Sequence, residues 1–228
     1  MVTYGQFCPV AMASEVLTER WTPLVVRELL CGSTHFNDLR RGVPLMSPAL
    51  LSKRLKSLER VGVVEKQGTS YHLTPAGKEL RGVIEAMGVW GQRWARGDMV
   101  AKPFDASLLM WDMHRNIEIE ALPSRRVVVY FHLYGSSDGN SHFWLVLDAP
   151  NVDLCLTDPG HNIDVRVTGQ VTTMVDYWTG RVDFGLAMRT GALDVAGQRT
   201  LVAALPSWFS LSNFAAVPMP LSPVGAAD

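Results

Sequence analysis

Apolar positions in the first part of this 228-residue chain recur at spacings of three and four, the period of helices with one buried side. Residues 8–17 and 21–30 read as two such helices, the second opened by Thr22-Pro23 and carrying Leu24, Val25, Leu29 and Leu30 inward, with Trp21 as a core plug at its start. A shorter helix at 35–44 uses Phe36 and Leu39 and ends in a Gly/Pro turn. The next, 47–62, is marked at both ends. Ser47 suits the N-cap, Pro48 the first helical position, and Gly62 a left-handed stop. Two short strands follow at 63–66 and 71–74, with Gln67-Gly68-Thr69-Ser70 as their turn. A helix over 74–96 then carries Leu80, Val83, Ile84, Met87, Trp90 and Trp94 in one stripe.

From residue 97 the helical period is lost, and beyond 103 the pattern becomes strand-like. Segments 125–134, 141–149, 152–157 and 163–168 predict four strands, with turns at 136–140 and 158–160. Helices at 170–178 and 183–189, a fifth strand at 192–196 and a final helical segment over 199–214 complete the pattern. Four consecutive strands joined by turns predict an antiparallel sheet covered by helices, and the chain as a whole an α+β protein. Residues 127–134 are apolar on both alternating faces, so both faces of that strand are expected to be covered, the second by the first domain or a second subunit.

Helix, turn, helix and hairpin make a winged helix, and the 47–62 helix has the two-sidedness such a module needs. Leu51, Leu55 and Leu58 share one side, while Ala49, Lys53, Lys56 and Arg60 share the other. Ser47, Ala49, Ser52 and Lys53, on the first turns after Pro48, are placed to reach base edges in a major groove. Arg40, Arg41, Lys56, Arg60 and Lys66 are placed to hold phosphates. Arg54 lies between the two faces and is expected in the domain's own packing. The hairpin is short, with Lys66 its one cation, which argues against a long wing gripping the minor groove.

Charge separates the same two parts. The formal net charge is -1, yet residues 1–97 hold 13 Lys/Arg against 8 Asp/Glu, and residues 98–228 hold 8 against 14. Nucleic acid is attracted to the first part and repelled by the second. Three cysteines, Cys8, Cys31 and Cys155, show no paired spacing, so neither a disulfide framework nor a zinc site is indicated. No cofactor is expected. The longest strongly apolar run, 127–134, is too short to cross a bilayer, and without a signal-peptide pattern a cytoplasmic protein is expected. The domain plan is 1–97, a linker at 98–104, a second domain over 105–214 and a loose tail over 215–228.

Cys8-Pro9-Val10, the run 15–30, Phe36-Asn37-Asp38-Leu39-Arg40-Arg41, the run 47–55 and Leu73-Thr74-Pro75-Ala76-Gly77 together resemble the HxlR-type winged-helix transcription regulators, which are MarR-like in shape. The resemblance covers residues 8 to about 96. It implies a homodimer formed through the helices flanking the wing domain, a palindromic double-stranded DNA operator and, by family habit, repression rather than activation. In some relatives a cysteine near the start senses oxidants or electrophiles. Cys8 at a helix start is therefore a redox candidate, set against the plainer reading of a small buried hydrophobe.

In the second half, the runs 164–169, 178–183, 186–188 and 191–197 resemble the lipid-binding domain of the sterol carrier protein family. That resemblance implies an apolar cavity between sheet and helices and no catalytic residue. Met174, Tyr177, Trp178, Phe184, Met188, Trp208 and Phe209 are its candidate lining, a Met- and aromatic-rich set suited to an adaptable pocket and equally to a plain core. His132, His142 and Cys155 fall on neighbouring predicted strands, but no local spacing is a ligand motif, and neither a metal site nor an enzyme is expected. The sequence thus points to a transcription regulator answering to an apolar or amphipathic small molecule. A repressor switched through Cys8 competes with it, as does a hydrophobic-molecule carrier whose winged helix docks a protein.

Overall fold

The computed structural model describes residues 3–95 and 104–218, and its contacts divide the chain into two units, Met1–Trp90 and Gly91–Asp228. The expected linker lies outside the described residues apart from Phe104, which packs against the second unit's core, and the expected tail beyond 218 also lies outside them.

The first unit contains α1 (Pro9–Leu17), α2 (Thr22–Leu30), α3 (Phe36–Gly42), α4 (Pro48–Arg60), β1 (Val64–Gln67), β2 (Ser70–Leu73), α5 (Pro75–Glu79) and most of α6 (Arg81–Trp94). Its core gathers Val25, Val26, Leu39, Leu51, Leu55 and Leu58, with Ile84 from α6. β1 and β2 form an antiparallel hairpin in which Gln67 opposes Ser70, and Gly68 at φ +61° makes the tight turn possible. The single helix expected over 74–96 is two. Thr74 caps α5 by accepting the Gly77 N–H at 3.2 Å, and its own hydroxyl donates to the Gly62 carbonyl at 2.6 Å. At Leu80 the N–H reaches back only to Gly77, a tighter turn that separates α5 from α6.

The second unit contains α7 (Ala106–His114), β3 (Val127–Tyr134), β4 (His142–Asp148), β5 (Asn151–Cys155), β6 (Val165–Gln170), α8 (Val171–Trp178), α9 (Phe184–Arg189), β7 (Leu193–Gly197) and α10 (Arg199–Ala204). The five strands run in the order β5-β4-β3-β6-β7. The antiparallel expectation fails at one pair, because β3 and β6 are parallel and the sheet is mixed. Asp164 is the physical reason. Its carboxylate accepts the Val128 N–H at 2.9 Å and its own N–H donates to the Val128 carbonyl at 2.9 Å, so β6 begins beside the beginning of β3. The chain reaches that point from β5, on the far side of β4, through residues 156–164.

Val127, Val129, Phe131 and Leu133, each at most 1% exposed, share one sheet face with Phe143, Leu145, Leu147, Val165 and Val167. Residues of α7, α8, α9 and α10 pack in the same cluster. α7 has no counterpart in the sequence reading. Asp105 caps it by accepting the Leu108 N–H at 2.8 Å, and Ala106, Leu109, Met110, Trp111 and Met113 are all buried, so no polar face betrays its period. The final helical segment is also shorter than expected. α10 gives way to a 3-10 turn, Leu205–Trp208, since Pro206 has no N–H for the ladder, and Ser210 N–H then donates to the Asn116 carbonyl at 2.9 Å.

The other sheet face explains the doubly apolar pattern of β3. Tyr130 tilts against Trp144 at 5.1 Å between centroids, His132 stacks on His142 at 4.7 Å, and the Tyr130 hydroxyl meets His142 Nδ1 at 2.6 Å. These rings cover one another, leaving Tyr130, His132 and Trp144 half-buried and Tyr134 exposed.

Candidate nucleic-acid interface

α4 is set by its own ends. Ser47 Oγ accepts the Leu50 N–H at 3.3 Å, Pro48 occupies the first turn, and Gly62 at φ +75° follows the last. Leu51, Leu55 and Leu58 are buried to 1% or less, which fixes the helix's rotation and turns Ser47, Pro48, Ala49, Lys53, Lys56 and Arg60 to the exterior, with Ser52 half-buried. Arg54 goes inward, where it pairs with Glu19 and donates to the Arg20 carbonyl at 3.2 Å; burial pushes its pKa down. This ties α4 to the turn before α2 and sets the Glu19 carboxylate against the Arg54 guanidinium.

A groove of about 640 Å³ runs along that face, lined by Ala49, Ser52, Lys53, Lys56 and Arg60 together with Ser57 and the paired Glu19 and Arg54. Ser57 was not among the sequence candidates, although its position one turn beyond Lys53 could have suggested it. Arg40 and Arg41 stand exposed on the last turn of α3, Arg41 within 3.4 Å of Asp38. The turn between α3 and α4 projects Leu45, 84% exposed, an apolar tip that no sequence pattern marks. Lys66 sits on β1 with its ammonium 5.7 Å from the Tyr71 ring centre, so the wing's cation rests against the hairpin. Arg40, Arg41 and Lys66 come from other elements than α4 and do not line its groove.

The seven candidate pocket residues fall in or against the second unit's core. Met174, Tyr177, Trp178, Phe184, Trp208 and Phe209 are buried and Met188 is half-buried. Trp178 donates its indole N–H to Asp112 at 2.8 Å, and Arg115 holds the same carboxylate. Tyr177 meets Phe184 edge to face at 5.0 Å; burial first, and then Asp183, push its hydroxyl pKa up to about 12. Cys8 is the N-cap residue of α1, half-buried. Cys155 lies beside Trp144, its thiol pKa raised by burial and by Asp153. No group of three His, Cys, Asp or Glu residues among the described ones is arranged to hold a metal, and no described helix is long and apolar enough to cross a membrane.

A buried helix face behind an exposed basic one, with a short wing beside it, defines the first unit as a winged helix-turn-helix. Residues 16–99 match the model of the HxlR-like helix-turn-helix family. The uncharacterized HTH-type transcriptional regulator YvaP of Bacillus subtilis (strain 168) is 34% identical over 98 residues, 40% of this chain and 91% of that protein. The HTH-type transcriptional regulator YodB of the same organism is 31% identical over 104 residues, 42% of this chain and 93% of YodB. A crystal structure of quinone-bound YodB from B. subtilis covers 37% of this chain and 97% of its own at 34% identity, with a TM-score of 0.35. The chain belongs to the HxlR-like helix-turn-helix family of transcriptional regulators.

Proposed function

We propose that this protein is a dimeric transcriptional repressor whose α4 enters the major groove of a palindromic operator. The observation that carries the reading is the division of α4 into a fully buried leucine side and an exposed side of Ala49, Lys53, Lys56 and Arg60. Small residues at the helix start permit close approach, so that Lys53 reaches base edges while Lys56 and Arg60 behind it meet phosphates. The dimer half of the reading rests on α6. Val83, Met87, Trp90 and Trp94 are 43%, 49%, 61% and 46% exposed, an apolar stripe of the kind a second copy covers. Sedimentation of the full chain is expected to give a dimer, and the double variant Trp90→Ala/Trp94→Ala a monomer with weakened binding to operator fragments selected from genomic DNA. A variant that remains dimeric removes α6 from the interface.

The second unit, on this proposal, is a sterol-carrier-like effector domain spanning 105–214, with an apolar or amphipathic molecule entering among Met174, Tyr177, Trp178, Phe184, Met188, Trp208 and Phe209. Their methionines can repack around a guest, and a ligand that prefers one of two dimer geometries by a few kcal/mol would shift operator occupancy. Cys8 supports a second reading, since its half-buried thiol stands at the N-terminus of α1. Native mass spectrometry before and after denaturing extraction separates the two. A co-purified apolar molecule, and a DNA response to it that persists in Cys8→Ser, favours the effector domain. An empty protein whose DNA binding is lost on mild oxidation, and retained in Cys8→Ser, favours the thiol.

A further inference from the structure

Beside the wing, the last turn of α2, both hairpin strands, α5 and the start of α6 line a second, open cavity of the first unit, about 440 Å³ in volume. Its walls differ in kind. Leu29, Leu30 and Leu73 supply apolar surface, while Lys78 and Arg81 bring two cations from consecutive helices and Tyr71 a phenol from β2. Glu65 is the carboxylate in the lining, and it accepts from Gln67 at 2.8 Å. Lys78 has no ion pair among the described residues, and Arg81 is held loosely, 3.5 Å from the Leu30 carbonyl and 3.7 Å from Glu85. Such a volume suits a small molecule, and two cations beside an apolar wall suit one with an anionic head and an apolar body.

We infer that this cavity is a binding site for small organic carboxylates, distinct from the α4 face and from the second unit. Its position gives an occupant leverage on both halves of DNA recognition. Arg81 and Val83 lie 200° apart around α6, by the helical 100° per residue, so one side of that helix meets the cavity while the apolar stripe occupies another. Tyr71, on the cavity's far side, carries the Lys66 ammonium over its ring. A carboxylate bridging Arg81 and Lys78 with its body against Tyr71 and Leu73 therefore fixes the wing relative to the helix bearing the stripe. Only this last consequence rests on the DNA-binding reading; the site itself does not.

Benzoate and hexanoate are the probes, one planar and one flexible, titrated into the full chain at constant ionic strength with chloride as the reference anion. At least one is expected to bind saturably at one per chain and to raise the melting temperature. Its affinity is expected to fall about tenfold or more in Lys78→Gln/Arg81→Gln, to fall less in Lys78→Gln alone, and to be unchanged in Arg199→Gln. Absence of saturable binding for both acids overturns the site, as does equal affinity in the double variant. Binding that follows the expected pattern but leaves affinity for the selected operator fragments unaltered overturns the coupling and keeps the site. Failure of the protein to bind any DNA fragment counts against the regulator reading alone.

Discussion

Replacing Lys53 and Lys56 together by glutamate is expected to lower operator affinity by about 10²- to 10³-fold while the melting temperature stays close to that of the parent protein. Both ammonium groups are exposed on the outer side of α4, whereas the stabilising contacts of that helix are those of Leu51, Leu55 and Leu58 on the other side. Lys56, placed to meet a phosphate, releases counterions on binding, so its loss is expected to reduce the slope of log affinity against log salt by about 1, while the loss of Lys53 removes a base-edge contact. Reversal of charge adds repulsion to that loss. The comparison variant is Lys66→Glu, expected to have the smaller effect because that cation already rests on Tyr71. A second comparison is Ser52→Ala, which leaves charge alone and should relax discrimination between operator sequences more than it weakens binding. Full operator affinity in the double glutamate variant removes α4 from the groove.

How far the sequence discloses this molecule depends on whether an element is fixed by its neighbours in the chain or by distant ones. α4 is local. Ser47, Pro48 and Gly62 mark its ends, and the leucine spacing sets its rotation, so its boundaries and exposed face follow directly from sequence. Gly77 is only half legible. It stands in the Thr74-Pro75-Ala76-Gly77 run that resembles the family, but what requires a glycine there is tertiary, since a Cβ at that position runs into the Val63 carbonyl and lies 2.9 Å from Leu73 Cδ2. In the second unit the strands announce themselves by alternation, yet the direction of β6 depends on Asp164 reaching Val128, a bond across 36 residues. α7 escapes for the opposite reason, because none of its residues is fully exposed and Trp111 is buried away from the Ala106, Met110 and Met113 side, which erases the contrast on which periodicity depends. The same ambiguity touches the candidate pocket. Met174, Trp178 and Trp208 have the same spacing whether they line a cavity or fill a core, and packing alone places them inside.

Trp208→Ala is the substitution expected to cost the fold most, about 3–5 kcal/mol, because it removes a large side chain that is only 1% exposed. The site cannot easily collapse around the loss. The Trp208 carbonyl accepts the Glu118 N–H at 2.9 Å, and Phe209 bridges to Ile117, so the backbone on both sides of the vacated space is pinned. A smaller effect, about 1–2 kcal/mol, is expected for Trp178→Phe, which keeps an aromatic ring in the core but gives up part of the indole's volume and its bond to Asp112, a carboxylate still held by Arg115. Each unit has a core of its own, the first around Leu39, Leu51 and Leu55 and the second around Phe131, Phe143 and Trp208. Calorimetry of Trp208→Ala is therefore expected to show the second unit melting early, with the transition of the first retained. Operator binding measured between the two transitions then reports on the wing domain with its companion unfolded. Loss of both transitions together would mean that the first unit does not stand without the second, and α4 would owe its fold to more than the leucines beneath it.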